Sequence, residues 1–379
     1  MEFVNLSNIC DVYSGYAFKN FNDKKEGKPV IKIRNIKIDG TINKFDCSYT
    51  NEVPLEKFYS QKEDLYIALS GATTGKVGIM DEEGYLINQR VGVIRKKDIN
   101  VPINYIKVFL DSITGKILKD AVGAAQPNIS PKDILKYKFP LRRYDEMVKI
   151  SNIFTNINNK INICKKYILN LDDIVKSQFI EMFGTIDLSE KRKEWEEICN
   201  VTKIYTGTTP STSDESNWDG EILWITPAEM NFDTFFVYDT VRKITEKGRK
   251  SKSLDLMPTN TVLLSTRAPI GKVGIVGTPM TSNQGFKNFE CLDRLNPIYL
   301  YTLLKNNTEY LNFLGSGTTF LEVSKSTISK MRIPMPKIEL QNKFAAFVQQ
   351  IDKSKFIVQK QIKLLEELLE KKMNEYFGQ

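Results

Sequence analysis

The sequence predicts a duplicated α/β (α+β) protein. Two similar globular domains are separated by two long helices, which we expect to pair as an antiparallel coiled coil with pseudo-two-fold symmetry. Three observations lead to this prediction. Matching segments recur 192 to 196 residues apart along the chain. Each copy opens with short β-like runs interrupted by glycine, asparagine and proline, and each closes with a long heptad pattern of apolar residues.

The repeat is clearest in one glycine-containing loop. Leu69–Ile79 (LSGATTGKVGI) returns as Leu264–Ile275 (LSTRAPIGKVGI), an alignment that gives the second copy one additional residue. The pair Asn88-Gln89 returns as Asn283-Gln284. A unit of this length is too long for a solenoid repeat of about 20 to 50 residues. Each copy is therefore predicted to be a domain followed by a connecting helix.

The front of each copy combines strands with a helix. In the first copy, β-like runs cover Val30–Ile33, Leu65–Leu69, Lys76–Ile79 and Arg90–Ile94, and a helical pattern follows near Ile103–Lys119. Turn-forming residues separate these runs. We therefore predict that both domains contain mixed or antiparallel sheets.

The tail of each copy is predicted to be one long helix. Apolar residues follow a heptad spacing from Ile150 to Val175, and the second copy repeats this row with Lys355 as its only interruption. Asp145–Phe179 alone would span about 50 Å as a helix. Such a helix needs a partner for its apolar seam, and the other copy is the best candidate. The alternative, that each helix packs on its own domain, stays open.

These patterns divide the chain into four predicted parts. Proline residues precede each helical tail and a glycine follows it, as expected at helix boundaries. The predicted boundaries are 1–142 for domain 1, 143–184 for the first long helix, 185–336 for domain 2 and 337–379 for the second long helix.

Composition excludes several classes of protein. The chain has no histidine, which removes Ser-His-Asp and Cys-His hydrolases and histidine-bearing zinc sites. Its five cysteines are scattered without a CxxC motif, which disfavours a disulfide framework and a four-cysteine metal site. No long apolar run or secretory signal is present, so we expect a cytoplasmic protein without a membrane span. The net charge of +8 is compatible with a nucleic-acid partner.

One motif imitates a nucleotide-binding loop. Gly71–Lys76 resembles a P-loop, but only three residues separate its glycines and a valine follows the lysine. The corresponding segment of the second copy lacks the first glycine. We therefore expect no nucleotide hydrolysis, and the sequence carries no convincing motif of a self-sufficient methyltransferase or nuclease.

Taken in order, the duplicated segments resemble the specificity subunit of type I restriction-modification enzymes over the full chain. The GKVGI loops with their trailing Asn-Gln pairs carry this resemblance, together with Thr208–Thr212 and the Trp224-Ile225 strand. The proline-containing entries Lys138–Pro140 and Arg332–Pro336 into the long helices add to it. Domain 1 departs from the pattern, because Ala17-Phe18-Lys19 stands where domain 2 has its Thr-Pro-Ser segment.

The resemblance implies a non-catalytic subunit. The two domains would be target-recognition domains, each reading one part of a split asymmetric double-stranded DNA sequence. The helices would set the unread spacer and dock two copies of a modification (adenine methyltransferase) subunit, and a restriction subunit would join that complex. S-adenosylmethionine, ATP and Mg would belong to the partner subunits, so this chain would hold no cofactor or metal.

Candidate DNA contacts follow from side-chain chemistry. Arginine, asparagine and glutamine read base edges, whereas lysine, serine and threonine mostly contact phosphates. Lys76 and Lys272 recur in both copies and are phosphate candidates; Arg34 and Arg267 differ from their counterparts and are better specificity candidates. The complete set is Lys19, Arg34, Asn35, Thr73, Thr74, Lys76, Gln89 and Arg90 in domain 1, and Thr208, Thr209, Ser211, Arg267, Lys272, Asn283 and Gln284 in domain 2.

Two alternatives to these contacts remain. The GKVGI segments also read as buried turns and strands common to both copies, and Asn88 and Asn283 as turn caps. The domains could bind proteins rather than DNA, which would make the chain a scaffold. We further expect aromatic residues near the ends of the long helices to be exposed for partner docking, namely Phe179, Phe183, Tyr376 and Phe377.

Overall fold

The computed structural model describes residues 2–22, 25–37, 39–122, 127–190, 192–230, 235–315 and 322–378. Gly123 and Gly317, which match in the repeat, lie outside these ranges. The chain forms two compact units, and each contains one domain together with parts of both long helices. Unit 1 comprises Met1–Lys165 and Gln361–Gln379, and unit 2 comprises Lys166–Lys360.

Domain 1 is built from two facing sheets and three short helices. The larger sheet has the order β2-β8-β5-β6, the smaller has the order β4-β3-β7, and β1 pairs with β9. The elements are β1 (Glu2–Asn5), β2 (Cys10–Ser14), β3 (Lys28–Ile31), β4 (Ser48–Thr50), β5 (Leu65–Ala68), β6 (Val77–Ile79), β7 (Leu86–Ile87), β8 (Val91–Lys96), α1 (Ile103–Ser112), α2 (Thr114–Asp120), α3 (Pro131–Ile134) and β9 (Lys138–Leu141). The first long helix, α4 (Tyr144–Phe183), follows.

Domain 2 repeats this arrangement. Its larger sheet has the order β11-β18-β15-β16-β13, its smaller sheet has the order β14-β12-β17, and β10 pairs with β19. The elements are β10 (Glu196–Glu197), α5 (Ile198–Val201), β11 (Thr202–Thr206), β12 (Trp218–Ile225), β13 (Phe236–Val237), β14 (Arg242–Ile244), α6 (Glu246–Ser251), β15 (Val262–Ser265), β16 (Val273–Val276), β17 (Met280–Ser282), β18 (Phe286–Cys291), α7 (Pro297–Asn306), α8 (Thr308–Phe313), α9 (Lys325–Ser329) and β19 (Arg332–Ile333), and the second long helix is α10 (Ile338–Phe377).

The central strands are apolar on both faces because each face meets a different core. Side chains alternate across a strand, so neighbours in β5 point to opposite sides. Leu65 and Ile67 lie in the core beneath the helices, and Tyr66 and Ala68 lie in the core shared by the two sheets. A strand covered on both sides reads as an uninterrupted apolar run, which is why Leu65–Leu69 was recognisable in the sequence.

The two domains share one pattern of backbone hydrogen bonds. This pattern corrects one detail of the repeat. Gly75 N donates to the carbonyl of Ala68, and Gly271 N donates to the carbonyl of Ser265. The second loop is therefore one residue shorter than the first, and the expectation of an additional residue is wrong. The sequence repeat aligns Ser70 with Ser265, but the strand registers show that Ser70 corresponds to Arg267.

The long helices pair antiparallel within each unit, as predicted. Both contain 40 residues, which corresponds to about 60 Å at 1.5 Å per residue. In unit 1 the start of α4 lies against the end of α10, with the rings of Phe154 and Phe377 6.0 Å apart. In unit 2 the end of α4 lies against the start of α10, with the rings of Phe179 and Phe344 5.4 Å apart. The fold class predicted from the sequence is thus confirmed.

The aromatic residues at the helix ends are packed inside, so the expectation of an exposed docking surface there is wrong. Phe179 and Phe377 are 2% and 9% exposed, and Phe183 and Tyr376 are half-buried. Phe183 packs on Tyr299 at 4.9 Å, and Phe377 packs on Tyr105 at 5.6 Å. Each helix end closes the apolar core beneath a domain, because a core left open there would expose several aromatic side chains to water.

In the described part of the chain, neither the long helices nor the shorter ones combine the length and apolar character that crossing a membrane requires.

Candidate nucleic-acid interface

The GKVGI loops of the two domains share a backbone conformation that favours glycine. Gly75 and Gly271 have φ angles of 84° and 89°. In each copy the valine after the lysine, Val77 or Val273, starts a strand, and the glycine that follows it in that strand is buried. The prediction of a buried turn and strand therefore describes most of this motif, and only its lysine has a side chain long enough to reach the surface.

The two loop lysines have different surroundings. Lys272 donates from Nζ to the carbonyl of Pro227 at 3.1 Å, which ties the loop to a neighbouring turn. Lys76 is half-buried and has no side-chain hydrogen bond or ion pair among the described residues. Although both lysines were phosphate candidates on equal terms, Lys76 presents the freer ammonium group.

The Asn-Gln pairs lie directly beneath the end of the first strand of each large sheet. A Cβ atom at Gly15 would stand 2.3 Å from the carbonyl oxygen of Ile87, and one at Gly207 would stand 2.1 Å from that of Ser282. Only glycine allows this approach. Asn88 and Asn283 accept backbone N–H groups two residues later, at 3.3 and 2.9 Å, so both cap a turn.

The glutamines of these pairs differ between the domains. Gln284 Oε1 accepts the hydroxyl of Thr209 at 2.6 Å, which joins it to the Thr-Pro-Ser segment. Gln89 and its neighbour Arg90 are exposed, and neither side chain has a hydrogen bond or ion pair among the described residues. These two groups can therefore bind a ligand without first losing an internal partner.

Two tryptophans hold the Thr-Pro-Ser segment of domain 2. Trp224 Nε1 donates to the carbonyl of Thr208 and Trp218 Nε1 donates to that of Ser211, both at 3.1 Å. The Arg242 guanidinium stacks 3.6 Å from the centre of the Trp218 ring. The segment is thus a rigid surface that presents the exposed hydroxyl of Ser211 and the half-buried hydroxyls of Thr208 and Thr209.

Domain 1 builds the corresponding surface from phenylalanine and tyrosine. Tyr16 packs on Phe18 at 5.0 Å and on Phe58 at 5.5 Å, and Lys32 Nζ lies 3.5 Å from the centre of the Phe21 ring. Burial, and then the charge of Arg34, lower the pKa of Lys32. Lys19 is exposed at the edge of this group, with its backbone N–H bound to Glu52.

Two predicted contact residues are structural instead. Asn35 is 1% exposed, donates from Nδ2 to the carbonyls of Asn43 and Asp46, and accepts the Lys32 N–H. Thr74 is 3% exposed and donates its hydroxyl to the carbonyls of Gly71 and Pro127. Both predictions are wrong, because these polar side chains satisfy buried backbone groups. Thr73 is half-buried and its hydroxyl has no solvent contact.

The two arginines predicted to be the better specificity candidates are both ion-paired at the surface. Arg34 contacts Asp46 at 3.4 Å, and Arg267 contacts Glu322 at 2.9 Å. Glu322 also lies 3.4 Å from the ammonium of Lys287, whose side chain is only 8% exposed. Sequence reasoning missed Glu322 and Lys287; the available signal was a lysine beside Phe286 in the strand Phe286–Cys291.

Among the described residues there is no cluster of histidine, cysteine, aspartate and glutamate that could hold a metal ion. The groups at this interface are instead arginine, lysine, glutamine and hydroxyl side chains on rigid loops. Such groups donate hydrogen bonds to phosphates and base edges, which is the chemistry of nucleic-acid recognition.

Comparison with known proteins identifies the family. Residues 1–172 and 191–367 match the family model described as "Type I restriction modification DNA specificity domain". The chain belongs to this family. Its named relatives are specificity subunits, the non-catalytic recognition subunits of these enzymes, in agreement with the absence of catalytic motifs predicted from the sequence.

Relatives from Methanocaldococcus jannaschii include two specificity subunits that match different shares of the chain. The type I restriction enzyme MjaIX specificity subunit is 37% identical over 200 residues, which cover 52% of this chain and 46% of that protein. The putative MjaX specificity subunit is 24% identical over 399 residues, covering 97% of this chain and 91% of that protein. The match to the first of these therefore spans about half of its length.

Solved structures share the fold at low sequence identity. The S subunit of a type I restriction-modification system from M. genitalium has a TM-score of 0.60 and 13% identity, covering 98% of this chain and 95% of that chain. A chain from a study of assembly and conformational transition of the type I system has a TM-score of 0.56 and 16% identity, covering 98% and 96%. Both likenesses support the duplicated fold.

Proposed function

We propose that this chain is the specificity subunit of a type I restriction-modification complex that binds double-stranded DNA in the cytoplasm. Each domain reads one part of a split target, and the parts differ because the domains differ. The observation that carries the proposal is the pairing of one duplicated framework with two different sets of exposed donors. A shared framework supports a shared mode of docking, and different donors support different sequences.

The exposed donors of domain 1 are favourable for DNA. Among the described residues the side chains of Arg90 and Gln89 have no internal partner, and the exposed Lys19 lies on the loop that follows the close approach of Gly15 to Asn88. Free cationic groups contribute binding energy through phosphate neutralisation, and the groups that read bases must be rigidly placed. The aromatic residues packed on one another at this loop supply that rigidity.

Partners are part of this proposal. The two long helices set the number of unread base pairs and dock two copies of a modification (adenine methyltransferase) subunit, and a restriction subunit joins this complex. This chain holds no cofactor; S-adenosylmethionine, ATP and Mg belong to the partners. Family membership and the 40-residue lengths of α4 and α10 support this arrangement.

The target is found by mapping methylated adenines in cells that carry the gene and in cells from which it is deleted. We expect a split motif that disappears with the gene. The purified complex of this chain with its modification subunits should then retain a duplex with that motif better than a scrambled duplex. Retention of both should fall as salt rises, because phosphate contacts release counterions.

Two results would contradict the proposal. An unchanged methylation pattern after deletion would show that the chain does not direct modification. Tight association with the modification subunits but no preference for the motif would instead favour a protein-binding scaffold.

A further inference from the structure

The same corner of the two domains is built from different charges. We define this corner by four pairs of corresponding positions: Ser70 and Arg267, Asn128 and Glu322, Gly92 and Lys287, and Arg90 and Gly285. The correspondence follows from hydrogen bonding. Ser70 forms a β-bridge with Asn128, and Arg267 forms one with Glu322. Gly92 and Lys287 occupy matching registers of β8 and β18, and Arg90 and Gly285 directly precede those strands, where their carbonyls accept the N–H groups of Leu69 and Thr266.

In domain 2 an ion-paired cluster fills the corner. Glu322 accepts Arg267 Nε at 2.9 Å through one oxygen and lies 3.4 Å from the Lys287 ammonium through the other. Lys287 also donates to the hydroxyl of Thr266. The bond through Nε fixes the plane of the Arg267 guanidinium, while its two terminal nitrogens make no hydrogen bond among the described residues. The Arg267 side chain remains 44% exposed.

In domain 1 the corner is an open hollow. It is lined by Ser14, Gly15, Ser70, Gln89, Arg90 and Asn128, among other residues. No side chain enters from Gly92. Arg90 directly precedes β8, whereas Arg267 follows β15, so the two arginines come from different strands. Each domain therefore places one exposed arginine at the corner, but from a different strand end.

Packing disfavours an exchange of these two arrangements between the domains. A Cβ atom at Gly285 would stand 2.9 Å from the ring of Pro227, so domain 2 has little room for an arginine at the position of Arg90. A Cβ atom at Gly92 would stand 2.8 Å from Ile67 and 2.9 Å from Leu69, so domain 1 has little room for a lysine there. Thr266, which replaces Leu69, is smaller and bonds the lysine instead.

We propose that this corner is the base-reading site of each domain: Arg90 and Arg267 each recognise a guanine, and Glu322 is a positioning residue for Arg267. The proposal rests on the proposed function. The fork of donors on arginine matches the O6 and N7 acceptors of guanine in the major groove. A residue that only contacts phosphate can be the same in both domains. Residues that read the bases of different half-targets must differ between the domains.

The test uses the full chain in complex with its modification subunits and duplexes in which each position of the methylated motif is varied in turn. Arg90→Ala should reduce discrimination at one guanine in one half-target by roughly 5- to 150-fold and leave the other half unchanged. Arg267→Ala should have the same effect in the other half. Lys287 still compensates Glu322 in that variant, so the fold is preserved.

Glu322 is tested by the conservative changes Glu322→Gln and Glu322→Asp. Glu322→Gln should lower discrimination at the position that Arg267 reads, with little change in the salt dependence of binding. Glu322→Asp keeps the negative charge and should lower this discrimination less than Glu322→Gln does. Arg294→Ala removes another exposed, glutamate-paired arginine of domain 2 and is the matched control, for which no change in the base profile is expected.

Each outcome decides the matter. If Arg90→Ala and Arg267→Ala weaken binding equally for every duplex, these arginines contact phosphates and the inference is wrong. If they leave the profile unchanged, the corner is not a reading site, although the proposed function stands. If the unaltered complex shows no sequence preference at all, the proposed function itself fails.

Discussion

Tyr105 of unit 1 and Tyr299 of unit 2 occupy corresponding positions and make the same contacts. Each donates its hydroxyl to a proline carbonyl, at 2.9 and 3.1 Å, and each packs against the phenylalanine at the end of a long helix. The charged groups differ instead. Domain 1 has the ion pair of Asp64 and Arg95, whereas domain 2 has Thr261 and Glu290 at those positions.

The apolar seams of the two long helices also differ between the units in a charged residue. Ile161 is 5% exposed in unit 1, but the corresponding residue of unit 2 is Lys355, which pairs with Asp172 at 2.6 Å. An apolar position buried on all sides tolerates few replacements, because changes in volume cost packing energy. A polar position tolerates a new residue whenever a new partner is near. Duplication has therefore preserved the apolar framework, while the polar groups of the two units have diverged.

The largest effects should come from the shared framework. Phe154→Ala in unit 1 and Phe179→Ala in unit 2 each remove a fully buried ring and should lower the free energy of unfolding by about 3–5 kcal/mol. Urea titration followed by circular dichroism measures both. Phe356→Ala, at a 60% exposed ring, is the control and should cost no more than about 0.5 kcal/mol. A small loss for either ring would contradict the packing of that part of the long helix into the core of its unit.

The next effect separates the domains. Asp64 is 1% exposed and binds Arg95 through both oxygens, at 2.6 and 2.7 Å. Asp64→Ala leaves a partly buried guanidinium without its counter-charge and should cost about 3 kcal/mol. Glu290→Ala changes the position in domain 2 that corresponds to Arg95, where the side chain is 37% exposed, and should cost about 1 kcal/mol or less. Similar losses in both would contradict the divergence of the charged groups.

The seam pair gives a smaller effect. A double-mutant cycle of Lys355→Ala with Asp172→Ala should yield a coupling energy of about 1 kcal/mol, since the lysine side chain is only 13% exposed. The matched cycle in unit 1 uses Lys165 and Glu366, which are 3.3 Å apart and more than half exposed. Its coupling should stay below about 0.5 kcal/mol because water screens the pair. Equal couplings would show that burial does not distinguish the two seams.

The smallest effect concerns the loop lysines in DNA binding. Lys76→Ala should weaken binding about equally for all sequences and reduce the slope of log affinity against log salt by about 0.9. Lys272→Ala should reduce it less, because the carbonyl of Pro227 already holds that ammonium group. Filter retention of duplex DNA at several salt concentrations compares the two variants. A larger change for Lys272 would reverse this comparison between the loops.

Much of the fold was predictable because it depends on local pattern. The heptad spacing predicted helices at 143–184 and 337–379, and the structure has them at Tyr144–Phe183 and Ile338–Phe377. The apolar run Leu65–Leu69 predicted β5. The exposure of Phe179 and Phe377 was predicted wrongly, since a helix-end aromatic looks the same in sequence whether it meets a partner or the protein's own core.

The sequence by itself determined the duplication, the type of each element and the lack of histidine-dependent chemistry, because these follow from composition and from spacing along the chain. Only the tertiary structure decided which polar residues are available to a ligand. Asn35 binds the carbonyls of Asn43 and Asp46, while Arg90 has no internal partner among the described residues. That difference depends on which distant groups the fold brings within hydrogen-bonding distance, and no local pattern records it.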